Sequence, residues 1–162
     1  MKKILLFFIT ISLLFSLFAC GSEKYKTYNE SDVIYKLPPD FVATNYGYGE
    51  LEYSNEKGAY FFFMSFDGDE LEEDQMMPRD TTVQEYAQTC ITVWGVDAEY
   101  VYNKENDSAT FDYHIEEDGE YYRHLVIWGS EKLFLFTLSC YSADVEKYAS
   151  TFDYIFDNIR LA

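Results

Sequence analysis

The chain has 162 residues, and its 29 Asp and Glu against 12 Lys and Arg give a formal net charge of −17. An acidic surface of this kind repels nucleic-acid phosphates and anionic lipid headgroups, which excludes both as partners of the folded chain. The length fits one domain with one sizeable core.

The first 21 residues have the pattern of an export signal. Residues 1–3 bring two lysines, and the apolar run 4–19 is short of the about 20 residues that a transmembrane helix needs. The sequence Leu-Phe-Ala-Cys at 17–20 resembles the lipobox of bacterial lipoproteins, in which the signal is cut before a cysteine whose thiol receives a diacylglyceryl group. The resemblance implies that Cys20 attaches lipid, holding the protein on the extracytoplasmic face of the cell membrane through its acyl chains.

These features predict a three-part organisation. Residues 1–19 are the lipoprotein signal peptide, residues 20–30 a short polar tether that carries the lipid, and residues 31–162 a single domain. Loss of the signal would leave 143 residues with 10 basic and 29 acidic side chains. The mature chain is therefore even more acidic, a balance that mainly favours solubility.

The first half of the predicted domain contains short extended segments. Residues 33–37 read as a strand, which Pro38 and Pro39 end because proline cannot donate to a ladder. An interrupted extended segment follows from Phe41. Residues 55–58 predict a hairpin turn that leads into a buried, aromatic strand at 59–66.

An acidic loop is predicted at 67–80. Its carboxylates are the oxygen ligands that calcium prefers, but Leu71 and Glu72 stand at the fifth and sixth positions of an EF-hand comparison, where a ligand and a glycine are required. A solvated loop is the ordinary interpretation. The alternative function is a calcium-dependent ligand or carbohydrate binder that uses the carboxylates of this loop. They belong to Asp67, Asp69, Glu70, Glu72, Glu73 and Asp74.

Helical spacing is clearest at 83–94. Thr82 and Glu85 form a capping-box pattern, and Gly95 supplies the stop. One face is apolar and contains Val83, Tyr86, Ala87, Cys90, Ile91 and Trp94.

The second half predicts a strand meander and a closing helix. Turn signals at Asp118-Gly119 and Gly129-Ser130 separate strands at 99–103, 108–115, 121–128 and 133–140. The helix begins with Ser142 as its cap and shows an apolar stripe to Ile159. The predicted fold class is α+β, an antiparallel sheet of about six strands with two main helices packed on it.

The order of elements resembles the PsbP-like family. The matching features are residues 37–41 after the first strand, residues 82–87 opening a helix, and residues 148–161 closing the chain. The resemblance implies a sheet sandwiched by helices over 31–162, a fold shared with a small Ran-binding nuclear-transport factor. It also implies an accessory or protein-binding domain, not an enzyme. We expect no cofactor.

Two cysteines remain after Cys20. In an oxidising compartment, Cys90 and Cys140 could form a disulfide worth about 4 kcal/mol in the chain-entropy picture. The alternative is two buried thiols, one on a helix and one on a strand, that pack as small apolar residues. The sequence leaves both interpretations open.

Few residues favour catalysis. His114 and His124 lie on strands that a hairpin would pair, so a zinc site with Asp112 depends on the register, and packing or surface roles are commoner for such histidines. No grouping of nucleophile, base and orienting residue is visible, which predicts a non-catalytic protein. Tyr46 and Tyr48 flank Gly47 in a predicted loop and are the expected ligand surface, and the expected partner is an envelope protein.

Overall fold

The computed structural model describes residues 24–30, 32–44 and 52–161. In this part of the chain the elements are β1 Lys26–Glu30, β2 Val33–Leu37, β3 Val42–Thr44, β4 Glu52–Ser54, β5 Tyr60–Phe66, α1 Gly68–Glu73, α2 Val83–Trp94, β6 Val101–Asn103, β7 Ser108–Ile115, β8 Glu120–Trp128, β9 Leu133–Tyr141, α3 Val145–Asp157 and β10 Arg160–Leu161.

The strands form two antiparallel sheets. One has seven strands in the order β3-β4-β5-β9-β8-β7-β6, and the other has three in the order β1-β2-β10. The antiparallel α+β class is therefore confirmed, with seven strands in the main sheet where about six were expected, and a second sheet of three strands beside it. The strands that were not predicted are β1, which is mostly polar, and β10, which has two residues, so neither carries a clear periodic signal.

The seven-stranded sheet has a core on each face. Alternation along the central strand β9 sends Phe134, Phe136 and Leu138 to one face and Leu133 and Leu135 to the other. The first face packs against α3 and the small sheet, and the second packs against α2. Because β9 is covered on both faces, it is buried from Leu133 to Cys140.

The two main helices lie on opposite faces of the large sheet. Helix α2 has the predicted ends, since Thr82 and Glu85 form the capping box and Gly95 adopts a left-handed conformation with φ of 66°. The start of α3 differs from the prediction. Ser142 begins a 3-10 turn and bonds the ring of His114 at 3.0 Å instead of capping the helix, which begins at Val145.

The predicted tether contains a strand. Residues Lys26–Glu30 form β1 and pair along their whole length with β2, so the folded domain begins at least five residues before Ser31. The Glu30 carboxylate lies inward and accepts bonds from the hydroxyls of Tyr35 and Tyr53, each at 2.7 Å. Residues 26–30 are mostly polar and show no apolar alternation, so the sequence did not predict a strand here. The strand forms because β1 pairs with β2.

The acidic loop also contains regular structure. Asp67 caps α1 by accepting from the backbone N–H groups of Asp69 and Glu70, and the Glu70 carboxylate accepts in turn from the backbone N–H of Asp67. Leu71 is fully buried in the α2-side core and holds the helix against the sheet. The prediction of a plain loop at 67–80 was wrong for residues 68–73.

Gly58 is required by the turn between β4 and β5. Its φ is +79°, and a Cβ at this position would lie 2.5 Å from the Tyr141 Cε2 atom. Gly119 also has a positive φ of 66°, with no atom within 4 Å of its Cβ position, so it is a matched control. Both alanine variants carry a left-handed penalty of about 1 kcal/mol. We expect Gly58→Ala to cost about 1 kcal/mol more in urea unfolding because the Tyr141 ring must move, and equal costs would contradict this packing.

Candidate functional site

A cleft of about 480 Å³ opens between α3 and the β6-β7-β8 side of the large sheet. Helix α3 packs on β9 and β2, which leaves the neighbouring strands uncovered. The cleft is lined by Val101, Asn103, Asn106, Ser108, Thr110, Arg123, Leu125, Ile127, Asp153, Phe156, Asp157, Ile159 and Arg160. We call it the α3 cleft.

Strand register builds the floor of the α3 cleft. One row across the three strands is Val101, Thr110 and Leu125, and the next is Asn103, Ser108 and Ile127. These residues share a face because side chains directly opposite in an antiparallel ladder point the same way. The floor therefore combines aliphatic side chains with hydroxyl and amide groups.

Charged groups from the sheet and from α3 form the wall. Arg123 Nη1 lies 2.5 Å from Asp153 Oδ1, and the guanidinium of Arg123 lies over the ring of Phe156 at 5.6 Å. Arg160 Nη1 donates to the backbone carbonyls of Asp157 at 2.8 Å and Ile159 at 2.7 Å. Both guanidinium groups are thus held at the cleft, with unused N–H donors in a planar array that suits carboxylates and carbonyls.

The cleft geometry suits binding. Ser108 donates from Oγ to the side-chain oxygen of Asn106 at 2.7 Å, and an amide cannot accept a proton as a general base. No histidine or cysteine is among the cleft residues. The arrangement can hold a partner through ion pairs, hydrogen bonds and aliphatic contact.

Several predicted site residues lie outside the described part of the chain. These are the signal segment 1–19, the lipid-attachment residue Cys20, and the two tyrosines Tyr46 and Tyr48. The export and ligand-surface predictions on them stay predictions. None of the helices at 24–30, 32–44 and 52–161 is long and apolar enough to cross a membrane.

Cys90 and Cys140 are free, buried thiols in the structure. Cys90 belongs to the α2-side core and Cys140 to the α3-side core, so the large sheet separates them and the disulfide is not formed. Burial raises the pKa of the Cys90 thiol to about 12 and that of Cys140 to about 11. Neither group is a thiolate near neutral pH, and both pack as small apolar residues.

The two histidines also lie on opposite faces. His114 pairs with Tyr121 across the hairpin, whereas His124 pairs with Phe111 and lies in the α2-side layer. Together with Asp112 they cannot form one site. Within the three described ranges, no group of three or more His, Cys, Asp or Glu side chains is placed to hold a metal ion.

The acidic segment at 67–74 uses its carboxylates internally. Asp67 and Glu70 are committed to the cap of α1. Arg79 forms ion pairs with Asp69 and Glu72, both at 2.5 Å. These contacts leave no preformed set of oxygen ligands, and the calcium interpretation gains no support from the geometry.

Sequence reasoning missed the α3 cleft. Its residues come from three strands and from the helix end, and only the sheet register and the position of α3 bring them together. One usable signal was present: the chain has three arginines, and two of them, Arg123 and Arg160, are on segments predicted to be structured. An arginine held in a fixed position within such an acidic chain is typical of a group that recognises a carboxylate or carbonyl.

Similar solved structures are found although no protein-family model and no curated protein sequence matches the chain. The solution structure of CyanoP, the PsbP of the cyanobacterium Synechocystis sp. PCC 6803, superposes with a TM-score of 0.62 at 14% identity, covering 88% of this chain and 97% of that one. The fold is PsbP-like. This confirms the fold predicted from the sequence.

Two other neighbours have the same architecture. A crystal structure of a Bacteroides thetaiotaomicron VPI-5482 protein gives a TM-score of 0.58 at 14% identity, covering 86% of this chain and 49% of that chain. The Ran-binding protein Mog1p of Saccharomyces cerevisiae gives a TM-score of 0.51 at 9% identity, covering 85% and 95%. At such identities the similarity concerns the fold, and function must be argued from sites.

Proposed function

We propose that this chain is a non-catalytic binding module, held on the extracytoplasmic face of a cell membrane by lipid on Cys20, and that an envelope protein binds in its α3 cleft. The observation that carries the proposal is the cleft itself, with two anchored guanidinium groups beside an aliphatic floor. The lipid anchor rests on the lipobox resemblance at residues 17–20.

Electrostatics give the cleft a recognition role. Arg123 and Arg160 are fixed cations on a chain with a net charge of −17. A partner must therefore present negative groups to these arginines and positive groups to the acidic surface around them. Complementary charge mainly sets specificity and association rate.

The fold neighbours agree with a binding role. Mog1p is named for binding Ran, and CyanoP is named as a PsbP, neither name describing a catalysed reaction. The fold thus has a precedent for protein binding, while the partner of this chain depends on its own cleft residues.

The proposal is tested by cross-linking the tagged full-length protein in the cells that make it, followed by mass spectrometry of the captured proteins. We expect a reproducible envelope protein with the native chain and its loss in the matched Cys20→Ala variant, which cannot carry the lipid. Equal capture by both forms would remove the anchor from the account. Turnover of a cell-wall or peptide substrate by the purified protein would contradict the non-catalytic assignment.

A further inference from the structure

The face of the large sheet that carries α2 is uncovered at one end. The end of α2 and four strands leave a row of aromatic rings there, which we call the aromatic face: Tyr60, Phe62, Trp94, Tyr113, Tyr122 and Tyr141. It lies on the opposite side of the sheet from the α3 cleft, because the cleft residues Arg123 and Leu125 alternate with Tyr122 and His124 along β8.

Pairing places these rings side by side. Tyr113 is opposite Tyr122, Tyr122 is opposite Ser139, and Ser139 is opposite Tyr60, so one row crosses four strands. The rings of Tyr113 and Tyr122 stack with centroids 5.5 Å apart and 20° between planes, and Trp94 lies 6.4 Å from Tyr113. Such packing holds the rings in fixed positions before any partner arrives.

The aromatic face is exposed to solvent. Tyr141 is 52% exposed, Trp94 42% and Tyr60 37%. At Trp94 the face continues into an apolar groove of about 260 Å³ that also contacts Val93, which is 73% exposed. A contiguous apolar surface of this kind is typical of an interaction site in a soluble domain.

Negative charge borders the aromatic face. Glu116, Glu117 and Asp118 are exposed in the β7-β8 turn, and Glu120 follows on the face itself, where its carboxylate accepts from the hydroxyl of Tyr122. The last turn of α2, which carries the negative end of the helix dipole, has no basic residue. A cation that approaches Tyr122 would therefore meet an aromatic ring and the Glu120 carboxylate together.

We propose that the aromatic face docks a cationic segment of a partner protein, in which lysine or arginine side chains alternate with apolar ones. Fixed tyrosine and tryptophan rings attract such cations through cation–π contact, and the bordering carboxylates add ion pairs. Apolar side chains of the same segment fill the groove beside Trp94. Because this surface and the α3 cleft are on opposite sides of one sheet, both can be occupied at once.

The probe is a phage-displayed library of random dodecapeptides, selected on the full-length protein in detergent. We expect the selected peptides to be enriched in lysine or arginine together with apolar residues. Tyr141→Ala and Trp94→Ala change exposed positions and should each weaken a selected peptide by about tenfold. Glu116→Gln with Glu117→Gln should weaken it as well and reduce its sensitivity to salt.

The matched control is Tyr154→Ala, which removes a tyrosine from α3 on the other side of the sheet, where it stacks on Tyr25. It should leave peptide affinity unchanged, and circular dichroism of every variant confirms that the fold is retained. Peptides without cationic residues, affinity that Tyr141→Ala and Trp94→Ala leave unchanged, or no selection above background would each overturn the proposal. Enrichment that survives in the Arg123→Ser protein would separate this surface from the α3 cleft and support it.

Discussion

Acidification is expected to destabilise the domain through His124, by about 2 kcal/mol at pH 5 and about 3 kcal/mol at pH 4. The ring is 3% exposed and packs against the rings of Phe111 and Tyr113, with centroids at 4.6 and 5.5 Å. Nδ1 is 3.0 Å from Thr137 Oγ1, and Nε2 has no hydrogen-bond partner. Burial lowers the pKa of His124 from 6.5 to about 3, because the charged ring would lose its water.

The sign of the effect follows from proton binding. Below pH 6.5 the unfolded chain binds a proton at His124 that the folded protein refuses, so the free energy of unfolding falls as pH falls, until about pH 3. Above pH 6.5 the group contributes no pH dependence. Carboxylates add their own dependence, and comparison with a variant that lacks His124 removes this common part.

The measurement is urea unfolding of the native protein and His124→Phe between pH 7 and pH 4. We expect the stability difference between the two proteins to shift in favour of His124→Phe by about 3 kcal/mol over this range. His114→Phe, which removes the exposed histidine of the paired strand, controls for the loss of an imidazole. A difference that is constant across the range would contradict the burial of a neutral ring.

Removal of the Glu30 carboxylate is expected to cost about 2–4 kcal/mol of unfolding free energy. The carboxylate accepts from Tyr35, which is fully buried, and from Tyr53, which is 2% exposed, and the two hydroxyl oxygens are 3.1 Å apart. Burial and these bonds raise the pKa of Tyr35 far above its usual range and, on balance, that of Tyr53 to about 12. Both phenols therefore stay protonated donors that need an acceptor.

In the Glu30→Ala variant the two phenols can bond only to each other, so one of their two O–H donors is left without an acceptor. Glu30→Gln is the matched control, since it keeps an acceptor oxygen and should lose less than half as much stability. Both are measured by urea unfolding, with hydrogen exchange of β1 and β2 amides as a second readout. Native stability in Glu30→Ala would show that β1 is not anchored by this network.

Elements with local signals were predictable from the sequence. Helix α2 has its cap, its apolar face and its glycine stop within 14 residues, and strands β7 to β9 are separated by turn residues with the required conformations. The strand at Ser108–Ile115 was predicted with the bounds that the structure has. In each case the residues that decide the structure are close in the chain.

Features that depend on distant partners were not predictable. Strand β1 is a polar segment whose burial comes from β2 and Tyr53, and α1 rests on the single buried residue Leu71. The pairing of β5 with β9 brings together residues more than 60 positions apart, and no spacing rule indicates it. The α3 cleft and the aromatic face follow from this sheet order, so single-sequence reasoning could name aromatic and charged residues but not group them.

The most direct test of the binding role is site-specific photo-cross-linking inside cells, with p-benzoylphenylalanine placed at Val101 in the α3 cleft. The control is the same replacement at Val42, an equally apolar and similarly exposed position on β3 at the opposite edge of the sheet (69% and 58% exposed). We predict one defined envelope protein captured from position 101, its loss when Arg123→Ser is added, and no such product from position 42. Equal products from both positions, or none from position 101, would contradict a binding module that works through this cleft.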